Sequence, residues 1–348
     1  MPDMVKAGTH HRPSSTPINA KDINMSQIGI VFGKKHAPWT RIDNSGAIID
    51  PDASFFSNHP TFAGIADEDI DGQSMVRVPA FYYRSDIVRD GPLLGKKALW
   101  VSDEPAEGYA LHPAFRNHGA DLAQYWLGKY QGTPDGDDKL GSQAGLMPLA
   151  RIDFPTMQAR AAARGDGWML WSIYQLAAIQ ALALIECGTP NVKSILGEGY
   201  TDGNGVRKVD DAEVVQAAYR GITGLWGNVW QMLDGLQTSA NREFLIWGKD
   251  GHRNLLNTSI EAPEHGWIHK RLRNVGEGFD LGAVFVPKKT RDEQEDAAYG
   301  NYSWFWSGGV AYHGGHWANG ANDGLFCLNV NNPASDVNAS IGGRLAKV

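Results

Sequence analysis

The chain has 348 residues, 42% hydrophobic and 20% charged, the proportions of a folded protein with a substantial core. A formal net charge of −7 supplies no phosphate-neutralising stripe, which argues against a nucleic-acid partner. Twelve Trp beside forty-one Gly imply tight turns around aromatic packing rather than a helical bundle.

In chain order, residues 1–25 are polar and Pro/His-containing and predict an extended segment without the apolar core of a signal peptide. Export by the usual route is therefore not expected, although a protein can leave a cell as part of a particle. Residues 26–105 predict a small β-rich region: "QIGIVFG", "MVRVPAFYYR" and "ALWVSD" are strand-like, with "NSGAIIDPDAS" and "IADEDIDGQS" as turn-rich connections. The second region, 106–348, opens with two strand-like runs flanking a polar turn, and two helices follow. The first helix begins near Pro155 and Thr156 and stops at Gly165. The second carries Ser172 three residues before Gln175, a capping-box spacing, with Gly188 and Pro190 as the stop. Its apolar residues lie nearly all round, so it is the predicted core helix. Its apolar run from Leu176 to Cys187 is too short to span a bilayer. After residue 220 the pattern is short strands and long Gly/Asn loops: "LWGNVWQMLDG", "REFLIWG", "GAVFVPKK", "NYSWFWSGG", "GLFCLNV" and "IGGRLAKV". The fold class predicted is α+β.

The last stretch is unusual. No Lys or Arg lies between Arg291 and Arg344, and after Asp296 the only side-chain carboxylates are Asp323 and Asp336. Trp, Phe, Leu and Ile are too frequent there for a low-complexity tail, and charge too sparse for an ordinary solvated surface. Aromatics, Asn, Ser and Gly are what binding loops use: rigid contact area with adaptable hydrogen bonds. The exposed surface is expected to include Tyr302, Trp304, Tyr312, His313, His316, Trp317, Asn319, Asn322 and Asp323. If "YSWFW" is a strand, Tyr302, Trp304 and Trp306 share a face; that face is either core or surface, and for Trp306 and Trp317 both readings stand.

Other chemistry is weakly signalled. The pairs His313/His316 and His265/His269 lack a third metal ligand nearby in sequence. The loops holding Asp135, Asp137 and Asp138, and Asp202 with Asn204, do not fit an EF-hand, and no calcium motif supports a cofactor. Cys187 and Cys327 are read as two free thiols, although pairing with each other is the alternative. The clusters 269–273 and Lys288-Lys289 are read as solvated faces. Nucleophile-elbow, Walker-type and zincin motifs are absent, and isolated carboxylates such as Glu186 and Asp234 identify no glycosidase pair.

The order of "MVRVPAFYYR", "HPAF", "LGKYQG", "GWMLWSIYQLAAIQALALIECGTPN", "GLWGNVWQMLDG" and "GGHWANGANDGLFCLNVNNPASDVNASIGGRLA" resembles the C-type lectin fold of the formylglycine-generating-enzyme type. More narrowly it is similar to phage tail-tip and tail-fibre receptor-binding proteins, including variable proteins of diversity-generating retroelements. The resemblance covers residues 75 to 348. It implies a lectin-like domain over 106–348, of two helices, twisted antiparallel strands and long loops, behind a tail-docking or oligomerising region at 26–105. It also implies ligand-facing positions at Ala318, Asn319, Asn322, Asn329, Asn331, Asn332, Asp336, Asn338 and Ser340. The expected protein is a homotrimer at the tail tip of a virion, binding a host-surface glycan or protein and other tail proteins, with no membrane insertion. The enzymes of that fold depend on a cysteine pair that Cys187 and Cys327 do not match, so no catalysis is expected. Two alternatives are a structural tail or baseplate component and a non-viral bacterial ligand-binding protein.

Overall fold

A computed structural model describes residues 26–33, 38–296 and 298–348. The extended segment expected over 1–25 lies outside the described residues. The architecture is mixed α and β, with few helices and three larger sheets.

The central element is the helix Ile173–Cys187, in which every residue from Ile173 to Ile185 is buried. Its sequence dictates this, because Ile, Leu and Ala surround the axis and leave no polar stripe to solvate. The capping box forms: Ser172 Oγ accepts from the Gln175 amide at 3.3 Å and Gln175 Oε1 accepts from the Ser172 amide at 2.9 Å. Gly188 ends the helix at φ 66°, a conformation that costs glycine little. The buried Gln180 donates Nε2 to the Leu325 carbonyl at 2.6 Å, tying the helix to the chain's last stretch. The preceding helix, Phe154–Ala162, is capped by Asp153.

The first sheet orders Thr40–Ile42, Gln27–Val31, Lys97–Ser102, Tyr82–Ile87 and Ala110–Leu111. The second orders Trp168–Leu170, Leu345–Lys347, Gln124–Gly128, Gln73–Pro79 and Ala66–Ile70. The run "MVRVPAFYYR" is thus two strands in two sheets, broken after Pro79, which has no N–H to continue a ladder. "IADEDIDGQS", expected as a connection, is a hairpin: Asp71 and Gly72 take φ 51° and 73°, the pairing a tight turn prefers. Pairing crosses residue 105 in both sheets, and one hydrophobic core runs from Ile28 to Ala346.

The third sheet orders Leu255–Glu261, Glu243–Trp247, Trp230–Thr238, Val310–His313, Leu328–Asn332, Tyr302–Phe305, Gly266–Arg271 and Pro287–Arg291, with Ile341–Gly342 parallel to Trp230–Thr238. "LWGNVWQMLDG" becomes extended only from Trp230, because Gly227 and Asn228 turn left-handed at φ 78° and 62°. Asn228 is held there by its own side chain, which accepts from the Arg207 amide and donates to Gln131 Oε1 and the Arg207 carbonyl.

The terminal strand is locked by Arg344, fully buried and without a carboxylate partner among the described residues. Its Nε donates to Gln231 Oε1 at 2.8 Å, Nη1 to the Gly128 and Lys129 carbonyls, and Nη2 to those of Thr223 and Gly224. The guanidinium also lies 5.4 Å from the Trp171 ring centroid. Burial pulls its pKa down to about 9. Replacing it with Ala strands these acceptors in the core. Arg344→Ala is expected to lose on the order of 3–5 kcal/mol by urea denaturation, and Arg344→Lys to recover little, since one ammonium cannot reach acceptors on three segments.

Candidate recognition face

The Tyr302–Phe305 strand alternates as its sequence predicts: Ser303 and Phe305 point into the core, while Tyr302 and Trp304 lie on the opposite face, half-buried. Trp306 follows on that face and is 63% exposed, so the core reading of this residue is corrected. It borders a cavity of about 230 Å³ with Arg242, Glu264 and His265.

Register places neighbours beside these rings. Trp267 pairs with Tyr302, and Trp304 with Asn329, which in turn faces Tyr312. Ring centroids are 5.3 Å apart for Trp267–Tyr302, 4.6 Å for Tyr302–Trp304 and 5.8 Å for Trp304–Trp230. The run continues through His316, 6.5 Å from Trp230, to Trp317 at 4.8 Å, and ends at the other side on His265, stacked 6.4 Å from Tyr302. Trp230 is buried and His265 exposed; Trp267, His316 and Trp317 are half-buried. Edge-on and tilted contacts of this kind fix each ring by its neighbours. Sequence reasoning did not assign Trp230, Trp267 and His265 to the face. Trp267 alternates with neighbours in "HGWIH" as a strand residue would, which is the one signal that could have found it.

The Asn residues are arranged in a common way. Asn319 Oδ1 accepts from the His316 amide at 3.0 Å, Asn329 Oδ1 from the Asn331 amide at 2.9 Å, and Asn338 Oδ1 from the Ser340 amide at 3.0 Å. Their oxygens hold the backbone, which leaves the side-chain NH₂ groups as the donors these residues can offer a partner. Asn332 donates to the Asp336 carboxylate. Asn319, Asn322, Asn329, Asn331, Asn332, Asp336 and Ser340 are half-buried, and Asn338 and Ala318 are exposed. The His316–Asn322 loop is fastened to its surroundings by the Gly203 amide on the Trp317 carbonyl, 2.6 Å, and the Gly320 amide on the Thr201 carbonyl, 2.9 Å.

Three expected surface residues are not on it. Tyr312 lies on the same sheet face but is buried. The 333–340 loop runs beside it, with Asp336 adding to the burial that raises its pKa, and Ala334 and Asn338 carbonyls fasten that loop to Phe154 and Arg151. His313 faces the opposite way, into the core, 5.6 Å from the Trp171 ring, with Nδ1 on the Cys327 carbonyl at 3.1 Å; burial drops its pKa to about 3. It is therefore a neutral core residue, and His316 cannot join it as a metal pair. Asp323 is fully buried, packed so close to Gly315 that a Cβ there would overlap its carboxylate. With Asp323 removed, Asp336 is the sole carboxylate left on the described part of 298–343, and it is bonded to Asn332. The face is aromatic, amide-rich and close to neutral.

Other candidate groups serve the fold. Glu186 accepts from both Arg220 and Tyr219, and Asp234 from Gln158 and the Gly235 amide. Cys187 and Cys327 are both free thiols. Among the described residues no cluster of three or more His, Cys, Asp or Glu could hold a metal ion, and no helix is long and apolar enough to cross a membrane.

No family model and no curated protein matches the sequence. Among solved structures the chain is similar to Treponema denticola variable protein 1, at 11% identity over 81% of this chain and 98% of that one, with a TM-score of 0.36. It is also similar to the Major Tropism Determinant P3c variant, at 13% identity over 96% and 73%, TM-score 0.33. A third similarity is to PvdO from Pseudomonas aeruginosa, at 10% identity over 81% and 97%, TM-score 0.30.

Asp323 generates a test of the buried side of this region. Among the described residues neither carboxylate oxygen has a hydrogen-bond partner, and burial lifts its pKa to about 9 against an opposing pull from Lys193. The folded chain thus keeps a proton that the unfolded chain releases near the ordinary 3.8. Between these values unfolding releases a proton, so this group's contribution is most favourable below about pH 4 and declines as pH rises toward 9. Asp323→Asn is expected to remove a slope of up to about 1.4 kcal/mol per pH unit, read from urea midpoints across pH 5–9.

Proposed function

We propose that the chain is a host-attachment protein of a bacteriophage tail, with a lectin-like scaffold that displays the ring-and-amide face to a molecule on the host surface. The observation carrying this reading is the face itself: two groups of partly exposed rings joined through the buried Trp230, flanked by Asn319, Asn329 and Asn338, whose side-chain oxygens are already engaged with backbone. Rings of this kind cover apolar C–H surface, and NH₂ donors meet hydroxyl or carbonyl oxygens. A sugar offers both, and so does a polar protein surface. Long charged side chains, which lose much rotamer freedom when fixed, are missing from the centre of the face.

In this reading the role is binding rather than catalysis, as the engagement of Glu186, Asp234 and the two thiols in ordinary packing favours. A homotrimer at the tail tip would present three such faces, and simultaneous engagement raises avidity without any new contact.

The test separates face from core. Triple replacement of Tyr302, Trp306 and Trp317 by Ala is expected to reduce adsorption of particles to host cells at least about tenfold, the effect of losing anchor residues worth more than ~1.4 kcal/mol together. The melting temperature of the purified protein should change little. Tyr312→Ala, by contrast, should lose on the order of 3–5 kcal/mol of stability as a cavity-forming core change. Full adsorption by the triple variant would refute the attachment role. Loss of particle assembly instead of adsorption would assign the face to contacts between tail subunits.

A further inference from the structure

A second site lies apart from the ring-and-amide face and shares no residue with it. Where the first sheet meets the far end of the Gly266–Arg271 strand, the chain lines a cavity of about 440 Å³ that opens to solvent. That is within the size range of small-molecule pockets. Phe32, Trp39 and Tyr299 form aromatic walls, with Trp39 edge-on to both of the others at 5.2 and 5.4 Å. Among the described residues lining it, Lys97, Lys270, Arg271 and Arg273 supply four cations and Glu295 the one carboxylate.

This concentration of positive charge is unusual in a chain of net charge −7. Arg271 is a fixed, buried cation. It lies 4.9 Å from the Phe32 ring centroid and 5.1 Å from that of Phe285, and donates to the Gly282 carbonyl at 2.8 Å and to Ser85 Oγ at 2.6 Å. The Nε donors of Arg271 and Arg273 are buried without an acceptor among the described residues. None of the four cations forms an ion pair within 4.0 Å there. Asp86 acts on Arg273 only at longer range, its own close partner being Arg89 at 2.7 Å. Partial burial, then crowding by Arg273, Lys270, Lys288 and Arg271, holds the Lys97 ammonium below its ordinary range. An anion placed among these groups relieves that repulsion.

We propose that this cavity binds a small ring-bearing dianion, a phosphomonoester of a sugar, with phosphate among Lys97, Lys270 and Arg273 and the ring against Phe32, Trp39 and Tyr299. Four cations favour two negative charges over one, and aromatic walls favour a ring over a bare ion. The proposal is independent of the attachment role, because its test uses the purified chain and a soluble ligand.

The experiment is titration calorimetry on the full chain at low ionic strength with glucose 6-phosphate, glucose, inorganic phosphate and glucuronate. Glucose 6-phosphate is expected to bind at least tenfold more tightly than each of the other three. The double variant Lys97→Ala/Lys270→Ala should weaken that binding at least tenfold with an unchanged melting temperature, since both side chains are exposed. Absence of glucose 6-phosphate binding overturns the site. Equal binding of inorganic phosphate overturns the role of the aromatic walls, and equal binding of glucuronate overturns the dianion. Undiminished affinity in the double variant would place the ligand elsewhere.

Discussion

A fully buried guanidinium organises the way this chain ends. Arg344 has five N–H donors, and five acceptors from the 128–129, 223–224 and 231 segments meet them. Among the described residues no opposite charge repays its dehydration, so neutral carbonyl dipoles and the Trp171 face offset it. The adjoining strand Leu345–Lys347 consequently lies inside a sheet, between Trp168–Leu170 and Gln124–Gly128, rather than at an edge. Gly342 and Gly343 make the approach possible. A Cβ on the first would come within 2.9 Å of the Leu149 carbonyl, and on the second within 2.9 Å of Leu170 Cδ1. The charge-poor stretch from 314 to 340 is therefore held at both ends, by the Val310–His313 strand before it and this lock after it.

That anchoring explains how loops so poor in charge and rich in glycine stay ordered. Side-chain oxygens of Asn319, Asn329 and Asn338 take over amides that a regular ladder would otherwise pair. The rings restrain one another through edge-on and tilted contacts. A surface arranged before its ligand arrives loses less entropy on binding, which is where a neutral face can gain affinity without charge.

Much of the scaffold was legible locally. Ser172, Gln175 and Gly188 announce the core helix because capping chemistry acts within a few residues, and the shared face of Tyr302, Trp304 and Trp306 follows from a two-residue period. What escaped depends on distant partners. Tyr312 obeys that period yet is buried, with Asp336 of the 333–340 loop close enough to act on it and residues 151–154 holding that loop in place. Asp323 has the composition of a surface turn but is enclosed by the backbone at Gly315. The 269–273 cluster has the sequence of a solvated face. Only the packing of Phe32 and Phe285 on Arg271 turns part of it inward. At Trp306 the sequence left core and surface both open, and the sheet leaves the ring uncovered.

The two surfaces differ in the physics by which they would hold a ligand, and that difference is itself informative. Ring and amide contacts involve no net charge, so ionic strength should leave them almost untouched. The cavity lined by Lys97, Lys270 and Arg273 draws on Coulomb attraction at partly exposed sites, which a Debye length of about 8 Å at physiological salt already attenuates. An interaction of the whole chain that persists at high salt thus points to the aromatic face, whereas one that fades points to the cationic cavity. Two chemically distinct surfaces on one core would let a neutral surface molecule and a charged small molecule bind at once. Neither need compete with the other, because no side chain is common to both.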